Sequence, residues 1–162
     1  MTPRMKALVI IAAAALLPLA GCTSKPTAST VNTEALLTGK LPYNPLAWKV
    51  VTSWVNERNG TMSTLYGNDV AVQYARSNSA HAYPAGSVLA LVTWAQRDDP
   101  HWFGAKIPSA PQSVEFVLVP SSPAASSSYQ RYQGSPLALS PATGADAARI
   151  DYLITQRAAV MP

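Results

Sequence analysis

Hydrophobic and polar positions alternate in short blocks along this chain. Trp48, Val50, Thr52 and Trp54 recur at a period of two, which predicts a strand over residues 48–55 with those four side chains on one face. Asn44-Pro45 ahead of it reads as a cap or turn. Asn59-Gly60 is a strong turn dipeptide, so residues 61–66 form the returning strand of a hairpin. Asn68 stands at an N-cap position with Asp69 in the first turn, and Val70/Tyr74 and Ala71/Ala75 follow at i,i+4 spacing. That pattern predicts a short helix over 69–77. Tyr83-Pro84-Ala85-Gly86 punctuates, and residues 87–94 are a β-rich apolar run suited to a central strand. A polar loop is expected over 96–112, a strand over 113–119, and an exposed low-complexity linker over 121–128. Residues 146–159 read as an amphipathic helix with Ala147, Ile150, Leu153 and Ile154 facing inward. The order predicts an α+β fold: an antiparallel β-sheet with a short helix after the first hairpin and a C-terminal helix.

The first forty residues follow another logic. Arg4 and Lys6 precede a continuous apolar stretch over 7–20, too short to span a bilayer and suited to the hydrophobic region of a secretory signal. It ends in Leu19-Ala20-Gly21-Cys22, which resembles the bacterial lipobox. That resemblance implies a signal peptide over 1–21, diacylglycerol on the Cys22 sulfur, cleavage before Cys22 and acylation of the new amino terminus. Cys22 is the single cysteine, so no disulfide partner competes for it. Thr23 follows it, where aspartate would signal retention in the inner membrane of diderm bacteria; the expected place is therefore the outer membrane. Residues 22–40 are rich in Ser, Thr and Ala and hold no aromatic residue. They are expected to form a flexible tether that adds nothing to folding, with the folded domain over 41–162.

Charge narrows the partners. Lys and Arg number 12 and Asp and Glu 8, and charged residues make up only 12% of the chain. Without Arg4 and Lys6 the balance is close to even, too small and scattered to argue for nucleic acid. The expected partners are the membrane, through the lipid, and a small ligand or protein that the sequence does not identify.

Three segments resemble the cytochrome P-460 family, which also contains the cytochromes c′-beta. These are Trp48, the run Tyr66-Gly67-Asn68-Asp69 opening a short helix, and Tyr83-Pro84-Ala85-Gly86-Ser87-Val88 opening a strand. The segment Trp94-Ala95-Gln96-Arg97-Asp98-Asp99-Pro100-His101-Trp102-Phe103-Gly104 is similar to envelope members of that family. The resemblance implies haem c held by Cys-x-x-Cys-His near the C-terminus, with a lysine cross-link to the porphyrin in the enzymes. This chain departs from the pattern. No cysteine follows Cys22, the two histidines are His81 and His101, and the C-terminal helix offers Arg149, Tyr152 and Gln156 instead. Residues 87–94 contain no lysine. Composition therefore excludes covalent haem, and no cofactor is expected, although non-covalent haem on His101 or His81 stays open.

One loop holds the remaining candidate chemistry. Trp94, Trp102 and Phe103 bracket Asp98, Asp99, His101 and Lys106, a mix of apolar walls and few polar groups that suits a small-ligand pocket, with Tyr66 or Tyr74 contributing. His101 is the candidate for direct contact, since imidazole donates, accepts or ligates near neutral pH. The alternative is that these rings simply close the end of the sheet as core. No zinc pattern, Gly-x-Ser-x-Gly elbow or glycine-rich phosphate loop occurs, and no catalytic residue is assigned; a metal-dependent hydrolase on Asp98 and His101 is the weakest option. The leading expectation is a haem-free, lipid-anchored binding or accessory module. The alternative is an oxidoreductase or gas-binding protein with non-covalent haem.

Overall fold

The structure, a computed structural model, describes residues 31–77, 82–122 and 125–159. The proposed signal peptide, Cys22 and His81 lie outside them. Among these residues a six-stranded antiparallel sheet in the order β1-β2-β3-β4-β5-β6 organises the fold. Its strands are β1 Lys49–Asn56, β2 Thr61–Gly67, β3 Val88–Asp98, β4 Lys106–Leu118, β5 Ser128–Gln133 and β6 Ala138–Leu139. Helix α1, Asp69–Arg76, follows the first hairpin, and α2, Asp146–Ile154, is C-terminal. The fold is α+β, as the pattern predicted.

Both faces of the sheet are covered. Leu65, Leu89, Leu91 and Val117 pack under the helices with Ala71, Val72 and Leu153. Ala90, Val92, Trp94, Val114 and Phe116 pack on the opposite face with Tyr132 and Leu137. This two-sided burial is why β3 reads as a continuous apolar run instead of alternating. Asn68 caps α1 through Oδ1, which accepts from Ala71 N at 3.1 Å and from Val88 N at 3.2 Å. Gly67 lets the helix approach: a Cβ there would lie 3.0 Å from Ala71 Cβ and 3.3 Å from Val51 Cγ2.

Several expectations change. Trp48, Val50, Thr52 and Trp54 do not share a face, because β1 bulges between Val50 and Thr52. One extra residue reverses every later side chain, so Trp48 packs on the Trp94 face while Trp54 joins the helix face. The loop expected over 96–112 is mostly strand. Pro108 and Pro111 lie in a stretch of β4 that β5 does not reach, since the β4–β5 register ends at Ser113. An edge tolerates proline because no neighbour requires its missing N–H. On the β3 side the prolines coincide with two register shifts around Trp94. The hydrophobic pattern does not predict strands β5 and β6. Helix α2 ends at Ile154 rather than 159, Ala147 is exposed, and the chain beyond the helix donates Ala158 N–H to Ala75 O and Ala159 N–H to Val51 O.

The tether expectation requires the largest correction. The compact unit begins at Asn32, not at Leu41. A 3-10 turn at Thr33–Ala35 and the residues after it lie on the Trp94 face, with Ala35, Leu37 and Leu41 packed against the core. Thr38 O accepts from Leu137 N at 2.7 Å, and Gly39 bridges Leu137 in parallel. Ser/Thr-rich composition did not forecast this, because the stretch docks through few apolar side chains and through its backbone.

Candidate functional site

Strands β3 and β4 extend beyond the rest of the sheet as a hairpin, and its end carries five of the six pocket candidates. Asp98 pairs with Lys106 in register, and residues 99–105 form the turn. The Lys106 ammonium also pairs with the Asp98 carboxylate. Asp99 N–H donates to Ala105 O at 2.9 Å, and Asp99 Oδ1 accepts from His101 N at 2.7 Å. Ala105 N–H donates to Trp102 O at 3.0 Å, closing a turn in which Gly104 has φ +78°. These bonds hold the turn's backbone while its aromatic side chains project outward. Trp102 is 72% exposed and Phe103 fully so, and His101 is exposed beside them.

The expected pocket is therefore corrected in its geometry. Trp94 does not stand with the tip: it is buried opposite Met62 and Pro111, and its indole Nε1–H donates to Ala35 O at 2.9 Å. Tyr66 is paired with Ala90 in the sheet, and Tyr74 packs against Tyr83 with ring planes tilted by 54° and centroids 4.6 Å apart. Asp98, Asp99, His101, Trp102 and Phe103 share one projecting turn whose rings, Trp102 and Phe103, face solvent. Among the described residues, no three His, Cys, Asp or Glu side chains gather to hold a metal ion.

The hairpin's base meets the start of the folded chain. Asn32 Nδ2–H donates to Pro108 O at 2.6 Å, and Glu34 Oε2 lies 2.9 Å from Arg97 Nε. The packed N-terminus is thus fastened at the foot of this projection.

Sequence reasoning missed a second polar site on the helix face. Glu115, 4% exposed, stands in the apolar run Val114-Glu115-Phe116-Val117. Its Oε1 and Oε2 accept from Arg149 Nη2 and Nε, each at 2.8 Å, and Tyr129 O–H donates to Oε2 at 2.6 Å. Burial raises the Tyr129 pKa well above its ordinary value, and the bond to Glu115 raises it further, so the phenol remains a donor. Burial alone would lower the Arg149 pKa, but its bond and ion pair with Glu115 outweigh this and the net direction is upward. A carboxylate inside an apolar strand was the available signal, since such a group needs a partner. Its partner lies 34 residues away on α2, a pairing that only the fold creates. Beside this cluster, an open cleft of about 460 Å³ lies between β5 and the start of α2, lined by Tyr129, Arg131, Gln133, Ser140, Thr143 and Asp146. Asp146 already accepts from Thr143 N–H and Oγ1–H.

Geometry thus defines a helix-backed antiparallel α+β domain with a long aromatic-tipped hairpin and a buried carboxylate–guanidinium pair beneath its C-terminal helix. The chain matches Cytochrome P460 over residues 43–136, more than half its length, and belongs to that family. No curated protein matches it. No helix among the described residues is long and apolar enough to cross a membrane.

The residues present do not fit the haem c that the family implies. Thioether attachment needs two thiols and an adjacent histidine, whereas the single cysteine is Cys22. On α2, Arg149 is committed to Glu115 and Leu153 is fully buried in the core.

Proposed function

We propose that this is a lipid-anchored protein of the bacterial cell envelope, held on the outer membrane through Cys22, whose Cytochrome P460 domain works without haem as a binding or accessory module. One observation carries the reading: the C-terminal helix, lacking any haem-attachment residues, seals its face of the sheet with Leu153 and the Arg149–Glu115 pair. The helix is thus a structural closure and not a cofactor mount. Sequence supports the anchor, because an apolar stretch of signal length leads directly into Leu19-Ala20-Gly21-Cys22. The cleft beside Tyr129 and Arg131 supplies hydrogen-bonding side chains for a small polar ligand.

The test uses the untagged protein purified from its native envelope. An absorption spectrum and metal analysis are expected to show no Soret band and no stoichiometric metal. A Soret band surviving gel filtration at one haem per chain would overturn the haem-free reading in favour of the oxidoreductase or gas-binding alternative, with His81 or His101 as the ligand to replace next. The anchor is tested separately. Cys22→Ser is expected to move the protein out of the detergent phase, and its continued retention there would refute the lipid attachment.

A further inference from the structure

We propose that the β3–β4 hairpin tip, Trp102-Phe103, seats in the interfacial layer of the lipid bilayer and fixes the domain's orientation on the membrane; this rests on the lipid-anchor reading above. Among the described residues the two rings are the most exposed large hydrophobic side chains, at 72% and 110%. They are adjacent on a turn whose backbone is held by the Asp99–Ala105 and Ala105–Trp102 hydrogen bonds. An ordered turn presenting an indole and a phenyl ring to water gains by transfer to the headgroup region, where tryptophan's apolar body and N–H are both accommodated.

Chain length places the tip within reach. Nine residues separate Cys22 from Asn32, ten steps along the chain, so the tether spans at most about 35 Å fully extended. Asn32 and Glu34 are fastened to Pro108 and Arg97 at the hairpin's foot. From Arg97 to Trp102 is five residues, at most about 17 Å. A chain of that length lets the lipid attachment and the aromatic tip reach one bilayer together.

Area favours a bilayer over a protein. Asp98 is paired with Lys106 and Arg97 with Glu34, and Asp99 adds a carboxylate that accepts from His101 N–H, so the tip carries no cationic cluster that would select anionic lipid. Two rings offer roughly 400 Å², below the roughly 600 Å² per partner of the smallest stable protein interfaces, yet enough to add to an existing anchor.

The experiment reconstitutes the full chain into phosphatidylcholine vesicles, and into vesicles of phosphatidylethanolamine with phosphatidylglycerol, each with and without brominated lipid. Tryptophan quenching is read after flotation. The chain has four tryptophans, and Trp48, Trp54 and Trp94 belong to the packed fold. Bromolipid is expected to remove about a quarter of the emission in both lipid mixtures, the share of one tryptophan if all four emit equally. Trp102→Ser should abolish that loss without changing the melting temperature, and adding Phe103→Trp to Trp102→Ser should restore it. A chain that floats but whose Trp102 emission is unquenched overturns the proposal and leaves the anchor standing, with the tip then facing water or a protein. A chain that does not float overturns the anchor and the tip proposal together.

Discussion

Removing the Arg149 guanidinium should destabilise the domain more than removing the carboxylate it serves. In Arg149→Leu, Glu115 keeps only the Tyr129 hydroxyl as a side-chain donor, while its own side chain is 5% exposed. Breaking a buried pair by deleting one partner costs about 3–5 kcal/mol, because a charge is stranded in a poorly solvated site. Arg149 is 37% exposed, so water already screens part of this pair and the expected cost falls to about 2–3 kcal/mol. Glu115→Leu removes the stranded charge itself. Arg149 can then turn to solvent and only the Tyr129 hydroxyl loses its acceptor, for a cost of about 1 kcal/mol. The double variant should be no worse than Arg149→Leu alone. Urea denaturation followed by tryptophan fluorescence reads all three, and the Arg149→Leu cost corresponds to a melting-temperature loss of roughly 6–15 °C. If Arg149→Leu costs under about 0.5 kcal/mol, or less than Glu115→Leu, the reasoning from a stranded carboxylate is refuted.

Three further outcomes are expected. Deleting residues 32–40 should lower the melting temperature by several degrees, because the Trp94 face loses Ala35 and Leu37 and the indole N–H loses its acceptor; an unchanged melt by circular dichroism would return these residues to tether status. Gly39→Ala should cost more than about 1 kcal/mol in the same denaturation assay, since φ is +123° and an added Cβ would sit 2.2 Å from Leu137 O; a neutral result would show that the Gly39–Leu137 bridge is dispensable. Tyr129 has a raised pKa in the fold, so above its ordinary value near 10 the unfolded chain releases the phenolic proton while the folded chain keeps it. Stability then falls as pH rises, and Tyr129→Phe should flatten that alkaline arm in melts between pH 9 and 11; an unchanged slope would rule Tyr129 out as its source.

Local chemistry made much of the sheet legible. Asn59-Gly60 set the first hairpin, Asn68 set the start of α1, and the apolar run at 87–94 marked the central strand, because each depends on neighbours close in sequence. The bulge at Val51 was not legible, since the residues around it have strong strand propensity in either register. Prolines 108 and 111 suggested a loop, and only the short reach of β5 explains why they sit in a strand.

The candidate site divided along the same line. By itself the sequence determined that the chain has one thiol, no haem-attachment motif, and a cluster of aromatic and polar residues over 98–103. These are facts of residue identity and spacing, which folding does not alter. Tertiary structure decided that Trp94 is a core residue bonded to Ala35, that Trp102 and Phe103 project into solvent, and that Glu115 meets Arg149. It also drew residues 32–40 into the fold. Those outcomes depend on which strand outlasts its neighbour and which distant backbone group lies within hydrogen-bonding distance, quantities that exist only once the sheet has assembled.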